Sequence, residues 1–464
     1  TSQLNRETQT IRVQFRVREA APIVVRRIEF TGHRRFSDRY YRRRVLVKEG
    51  EEFDLQKLEQ GLEQLAREGF VRPATRDDVK VMLDEASRTA DVTIHVEEIG
   101  RQKISLTGGG IGLGSSLSIA YNVFNILGGE EILTSRIEGG PESLQLLLGL
   151  AKDGLFGTKA SLGLNVFRNI VQPRLQGRGL FKSRSSGMSA AWSYALTKQD
   201  TLAVNYEFSR NATQVPLPVP VLLPGLEVRD VRSFSSRSGV ELSWAQESPA
   251  GRADASAGVA GGWLGGNERS ARTTLTAARL HVDPLSGGRN GWAFRGRLSG
   301  ASSFGGATLP STARSFAGEE LVRGFRPGEL GPAVVTSRVE ADGSKVYGTE
   351  TGGANALVAV NGEYRVPIES HTEVAAFFDA GTSWLVPRWL GGARPDILSG
   401  TNGVTRGSAG VEARLRVPVI DQTVRVYYAV NPWRLARVVL LPDGSKFQPT
   451  DRRAAFGWAL GNLF

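Results

Sequence analysis

The stretch "GSAGVEARLRV" (Gly407–Val417) sorts two kinds of residue onto two sides of an extended chain. Successive side chains of a strand point to opposite faces. Ala409, Val411, Ala413, Leu415 and Val417 therefore share one face, and Glu412, Arg414 and Arg416 share the other. What matters for the fold is which solvent each face meets. A soluble sandwich alternates in the same way, but its polar face looks at bulk water and its strands average shorter.

Neighbouring segments repeat the scheme. In "SLSIAYNV" (Ser116–Val123), Leu117, Ile119, Tyr121 and Val123 oppose Ser116, Ser118, Ala120 and Asn122. "SLQLLLGL" (Ser143–Leu150) aligns Leu144, Leu146, Leu148 and Leu150, and "KASLGLNV", "TLAVNYEF", "GVELSW" and "TVRVYYAV" continue the period. The polar faces hold mostly small residues, with occasional arginines and acids. The separators alternate in length: "TKQD", "SPAGRA", "PIESHT" and "PVIDQ" are tight, while those near 168–186, 211–235, 303–353, 385–405 and 432–452 are long. Short turns at one end, long loops at the other and an apolar exterior predict a transmembrane β-barrel of about 16 antiparallel strands. Only a closed barrel lets strands sit in lipid without an orphan edge. The terminal "AFGWALGNLF" places Phe456, Trp458, Leu460 and Phe464 on one parity, as a closing strand anchored by an aromatic residue.

Residues 23–100 follow a different period. "IVVRRIEFTG" reads as a strand entering a glycine turn, and "FSDRYYRRRVLV" as a helix capped by Ser37 or Asp38. "DLQKLEQGLEQLAREGF" predicts a second helix, capped by Asp54 and ended by Gly69, with Leu55, Leu58, Leu62 and Leu65 on one face. Two strands follow, near Val79–Asp84 and Asp91–Glu98, giving a small β-α-α-β-β unit. "IRVQFRVREAAP" (Ile11–Pro22) resembles "DVTIHVEEIGRQ" (Asp91–Gln102), so residues 1–22 read as the remnant of a preceding repeat. The barrel is expected over residues 101–464.

Composition narrows the chemistry. With no cysteine among 464 residues, thiolate chemistry, disulfides and sulfur-bound zinc are excluded, and four scattered histidines give no metal cluster. The net charge of +11 comes from arginines spread along the chain, without the basic clusters and interleaved aromatics of a nucleic-acid binder. "GGGIGLG" (Gly108–Gly114) lacks dinucleotide-fingerprint spacing, and "GLFGTKAS" (Gly154–Ser161) has Gly-Thr-Lys where a P-loop needs Gly-Lys-Ser/Thr. Neither enzymatic activity nor a cofactor is expected.

The segment from "RRIEFTG" to "AREGF" (Arg26–Phe70) resembles a POTRA domain, the periplasmic repeat of the BamA-like outer-membrane insertase superfamily. "VRGFRPGELGP" (Val322–Pro332) is similar to that superfamily's VRGF loop, and "FFDAGTSW" (Phe377–Trp384) to its acidic strand motif. "GGANALVAVNGEYRVPI" and "RGSAGVEARLRVPV" resemble the strands beside that motif, and "NILGGEE" its first periplasmic turn. The chain departs from the family in having one complete POTRA, His33 where asparagine is frequent, and the stretch "PLPVPVLLPG" (Pro216–Gly225).

The resemblance implies that the loop over residues 303–353 folds into the lumen. There Val322, Arg323, Gly324 and Phe325 would form a latch, with Arg323 paired to Asp379 and Glu363. Parity agrees on Glu363: Val358, Val360, Tyr364 and Val366 face one way, leaving Asn361, Glu363 and Arg365 inside. The resemblance also places a lateral gate where the first strand, with Lys103, Ile104, Ser105, Leu106, Thr107 and Gly108, meets Phe456, Trp458, Leu460 and Phe464. Ser105 is expected opposite Leu460 or a neighbour. The implied role is an outer-membrane protein insertase with its POTRA domain in the periplasm. Its partners would be unfolded outer-membrane protein clients, periplasmic chaperones, accessory lipoproteins and lipid, and not nucleic acid. The rivals are a two-partner-secretion or TamA-like translocation pore, and a passive porin.

Overall fold

A computed structural model describes residues 2–460 apart from 6–9, 14–21, 68–69, 85, 111–115, 128–129, 141–142, 173, 176–177, 180–181, 224–225, 311–312, 340–343, 393–394, 418–421, 437 and 449–450. Backbone contacts divide the chain into two units, Thr1–Lys103 and Ile104–Phe464.

The amino-terminal unit holds strands β1 (Val24–Thr31), β2 (Val79–Asp84) and β3 (Thr89–His95), with helices α1 (Asp38–Arg44) and α2 (Leu55–Arg67). β3 lies in the middle, parallel to β1 and antiparallel to β2. Ser37 caps α1 by accepting from the Tyr40 amide, and Asp54 caps α2 by accepting from Gln56 and Lys57. The core is aromatic: Tyr40 and Tyr41 are fully buried, stacking on Phe36 and Phe30. On α2, Leu58 and Leu65 are buried but Leu55 is exposed, against the expectation that all four leucines share the inner face. The reason sits at Gly61, where a Cβ would come within 2.7 Å of the Leu46 amide nitrogen. This close approach fixes the helix on Leu58 and Leu65 and turns its first residue out to water. Gly69, expected to end the helix, lies outside the described residues. So does most of Ile11–Pro22, whose residues 11–13, with Thr10 before them, pair with Ser2–Asn5 in a small two-stranded sheet.

The second unit is a closed barrel of sixteen strands. In chain order these are β4 (Gln102–Gly110), β5 (Ser116–Phe124), β6 (Glu131–Gly139), β7 (Ser143–Lys152), β8 (Ala160–Val171), β9 (Lys182–Ala195), β10 (Asp200–Leu223) and β11 (Leu226–Ser248). They continue as β12 (Gly251–Ala260), β13 (Ser270–Val282), β14 (Gly291–Ser303), β15 (Ala356–Glu369), β16 (Thr372–Trp384), β17 (Arg406–Val417), β18 (Gln422–Trp433) and β19 (Ala454–Leu460). Each strand neighbours the next in sequence, and β19 closes on β4. Closure removes every sheet edge, the condition for strands in hydrocarbon.

The two faces separate as the alternation predicts. Val360 and Val411 are 51% and 56% exposed on the outside, whereas Glu363 and Glu412 are each 1% exposed inside. A belt of exposed valine, leucine and phenylalanine would be an aggregation liability in water. It is the ordinary exterior of a barrel in lipid. Among the described residues no helix is long and apolar enough to cross a membrane.

One expected loop is a different object. Residues 211–223 and 226–235 continue β10 and β11 as a paired ribbon, with Val215 opposite Val231 and Leu223 opposite Leu226. Among the described residues β9 accompanies β10 as far as Gln214, and Pro216, Pro218 and Pro220 lie beyond that pairing. Proline lacks a donor for a second ladder, and a free edge is where a strand accepts it. The register shifts between Pro216 and Val221, letting the ribbon continue past them.

Candidate functional site

The long connection from β14 to β15 carries the segment Leu321–Leu330, which is buried against the inner wall of the barrel. Val322 and Phe325 are fully buried and pack with Leu321, Leu330, Leu357 and Ala359. The wall secures the segment's backbone at three points. The Asn361 amide donates to the Leu321 carbonyl at 2.8 Å, the Asn431 amide to the Gly324 carbonyl at 3.0 Å, and the Ser383 hydroxyl to the Leu330 carbonyl at 2.5 Å. Gly324 has φ +90°, and a Cβ there would lie 2.6 Å from the Asn431 side-chain oxygen. Both conformation and space require glycine at this position.

Arg323 sits between these apolar anchors and points into a set of carboxylates. Its Nε and Nη2 donate to the two oxygens of Asp379 at 2.7 and 2.8 Å, and its own amide reaches Asp379 Oδ2 at 3.0 Å. Nη1 donates to Glu363 Oε1 at 2.7 Å and to Glu412 Oε2 at 3.0 Å. The guanidinium carbon lies 3.7 Å above the centre of the Phe377 ring. A planar fork with several donors can hold one carboxylate edge-on while reaching others, and an ammonium group cannot.

The wall positions this set through strand register. Phe377 on β16 is opposite Glu363 on β15 and Gly410 on β17. A Cβ at Gly410 would come within 2.7 Å of the Phe377 ring, so glycine makes room for the ring on which the guanidinium rests. Further cations balance the remaining acid oxygens. Arg414 donates to Glu412 Oε1 at 2.6 Å, to Glu373 at 3.0 Å and, closely, to Glu363 Oε2. Arg365 donates to Glu363 Oε2 at 3.0 Å, and Arg425 lies 3.5 Å from Glu412 Oε2. Asp379 is thus buried against both prongs of the Arg323 fork, while Glu363 and Glu412 are buried with more than one guanidinium each. Burying charge is tolerable only in such an arrangement.

The structure brings Val322, Arg323, Gly324, Phe325, Glu363 and Asp379 together in one place. Glu412, the third carboxylate on Arg323, was not assigned to the latch from sequence. Parity put it on the inner face, but only the register between β16 and β17, which sets it opposite Ala375, fixes its height on the wall.

The expected gate residues occupy the two strands that close the ring. Lys103, Ile104, Ser105, Leu106, Thr107 and Gly108 lie on β4, and Phe456, Trp458 and Leu460 on β19. Phe464 lies outside the described residues. Ile104 and Phe456 are outward and exposed. The register pairs Trp458 with Gly110, Ala459 with Gly109 and Leu460 with Gly108. Gly108, and not Ser105, is therefore opposite Leu460; the two closing strands are shifted relative to the sequence expectation. Directly opposed residues share a face, so Leu460, on the parity of outward Phe456, takes a partner on the parity of outward Ile104, as Gly108 is and Ser105 is not. All three described partners on β4 are glycines, which bring no side chain to a cross-strand pair. On the other side of β19, Tyr428 pairs with Phe456 and Val426 with Trp458.

Comparison with known proteins gives two family matches. A POTRA family (surface antigen variable number repeat) matches residues 23–99, and an Omp85 superfamily domain matches residues 229–430. Among solved structures, the chain is similar to BamA from Haemophilus ducreyi lacking POTRA domains 1–3. The TM-score is 0.66 at 18% identity, over 99% of this chain and 88% of that one. It is also similar to CdiB from Acinetobacter baumannii, with a TM-score of 0.53 at 14% identity over 95% of this chain and 74% of that one. At these identities the two structures speak to the fold.

Proposed function

Because the chain belongs to the Omp85 superfamily, with a POTRA domain ahead of a BamA-like barrel, we propose that it is an outer-membrane protein insertase. In this reading the POTRA domain receives unfolded β-barrel clients in the periplasm, delivered by chaperones and assisted by accessory lipoproteins. The seam between β4 and β19 then opens sideways, and a client strand pairs with the freed edge. An unpaired backbone group in hydrocarbon costs several kcal/mol. Strand addition satisfies those groups on host and client together, so insertion needs neither a nucleotide nor an enzymatic step.

The observation that carries the reading is the composition of the seam, where Gly108, Gly109 and Gly110 are the described partners of β19. In the described pairs β4 brings no side chain to the seam, so opening them separates no interlocked cross-strand side chains. Passage through the lumen, as in a two-partner-secretion pore, is disfavoured by the buried Leu321–Leu330 segment, which such a route has to displace.

A disulfide between Gly108→Cys and Leu460→Cys tests the gate in a chain that has no other cysteine. The oxidised pair is expected to stop client insertion into vesicles, and reduction to restore it. Insertion at the wild-type rate by the oxidised protein would count against a lateral route.

A further inference from the structure

A second charged region lies inside the barrel, away from the carboxylates that hold Arg323. It is a cavity of about 280 Å³ between β13, β14, the start of β15 and the long loop. Arg272 of β13, Arg297 of β14 and Arg314 of the loop line it, with Glu320 as the one lining carboxylate. Among the lining residues three guanidiniums face one carboxylate, an excess of two positive charges; Arg272 is exposed to the lumen, and the wall acids Glu268, Glu241 and Glu207 also act on it. The strand register puts Ser299 opposite Thr274, with Arg297 on one side of that hydroxyl rung and Arg272 on the other.

The arginines here are used differently from those of the latch. Arg314 spends its terminal nitrogens on the Gly352 and Leu309 carbonyls, at 2.9 and 3.4 Å. That fixes the side chain without neutralising it. The Nε atoms of Arg297 and Arg314 are buried and meet no acceptor among the described residues. Arg295 follows the same rule on the same face of β14. It is 9% exposed, donates to the Glu320 carbonyl at 3.2 Å, and has a buried Nε without an acceptor. Buried donors without acceptors are rare and call for a partner. An oxyanion supplies both the missing acceptors and the missing charge.

We propose that this cavity binds a phosphate group. A phosphate ester or ion carries close to two negative charges near neutral pH, which matches the imbalance. Arginine forks and hydroxyls are the donors that suit its oxygens. Arg314, Ser315 and Glu320 belong to the loop that carries Arg323, whereas Arg272, Thr274, Arg297 and Ser299 belong to the wall. A phosphate between them fastens the loop at a second point and makes its docking responsive to a ligand. The phosphate can be a free ion or borne on a lipid headgroup.

The full chain in a phosphate-free nonionic detergent is titrated calorimetrically with inorganic phosphate at constant ionic strength. In a parallel arm the same micelles are doped with phosphatidic acid. Saturable binding is expected in at least one arm: the first identifies a free ion, and the second alone a lipid-borne phosphate. Arg272→Gln and Arg297→Gln are each expected to weaken it about tenfold or more. Arg136→Gln, which removes a charge from another lumenal cavity, is expected to leave it intact. Retarded band mobility without heating confirms that each barrel is folded. Wild-type protein that shows no saturable binding in either arm overturns the proposal. So do folded Arg272→Gln and Arg297→Gln variants that bind as wild type does. If one variant fails to fold, the wild-type titration and the other variant still decide.

Discussion

Arg323 shows how one side chain can fix a long loop. Replacing it with alanine leaves Asp379, Glu363 and Glu412 buried with less compensation, and breaking such a pair costs about 3–5 kcal/mol. Arg323→Ala is therefore expected to free the loop, seen as faster protease cleavage within residues 321–330, and to lower client insertion. Arg323→Lys is expected to fall between, because an ammonium cannot span Asp379 and still reach the other two acids. Arg323→Ala combined with Asp379→Asn should cost less than the two single changes added, since the pair is removed together. Wild-type cleavage and insertion in Arg323→Ala would contradict the latch. Gly324→Ala makes a separate demand. The left-handed conformation costs an L-residue about 1–2 kcal/mol, and the new methyl meets Asn431 at 2.6 Å. Loop cleavage should rise although every charge is kept. At this scale the sequence was most readable where family likeness and parity coincided, at Glu363, while Arg323 and Asp379 rested on the likeness alone. Glu412 was legible as inward-facing but not as a ligand, because height along the barrel depends on the offset between strands.

Single elements record the same division between what is local and what is not. The caps at Ser37 and Asp54 and the alternation of the strands are local and were readable. The exposure of Leu55 was not, because it follows from Gly61 meeting a backbone that is distant in sequence. The segment near 211–235 reads in sequence as a long separator, and only the partnership of β10 with β11 makes its described residues a ribbon. The amino-terminal unit has its own fastening at Glu98. This side chain accepts from the amides of Arg34, Arg35 and Phe36 and from the Tyr41 hydroxyl. Burial alone would raise its pKa, but these donors prevail and hold it below the ordinary glutamate value. A carboxyl lowered in the folded state stabilises that state fully above its unfolded pKa, about 4.3. It loses that contribution as the pH falls through the lower folded value. Amide exchange at Arg34–Phe36, corrected for intrinsic rates, should therefore accelerate below about pH 4.3 in the wild type. Glu98→Gln should exchange faster at pH 6 and respond less to acid; an equal acid response in both would remove Glu98 from this role.

The whole molecule combines a wall that is rigid where side chains interlock with a closing pair of strands that meet through glycine. In the proposed mechanism the loop buried beside β15–β18 stands in the way of lumenal traffic, and the glycine seam is the route to lipid. Strand number and exterior polarity were legible because alternation is repeated in every strand. The offset between β4 and β19 was not, because both ends of the chain alternate equally well in several registers. The lateral route is tested most directly by placing a photoreactive side chain at Leu106, on the first strand of the seam, or at Asn169, on the lumenal wall. A β-barrel client is then arrested during insertion and irradiated. Adducts from Leu106 without adducts from Asn169 are the expected result. Adducts from Asn169 alone would mean that the client passes through the lumen, and would contradict it.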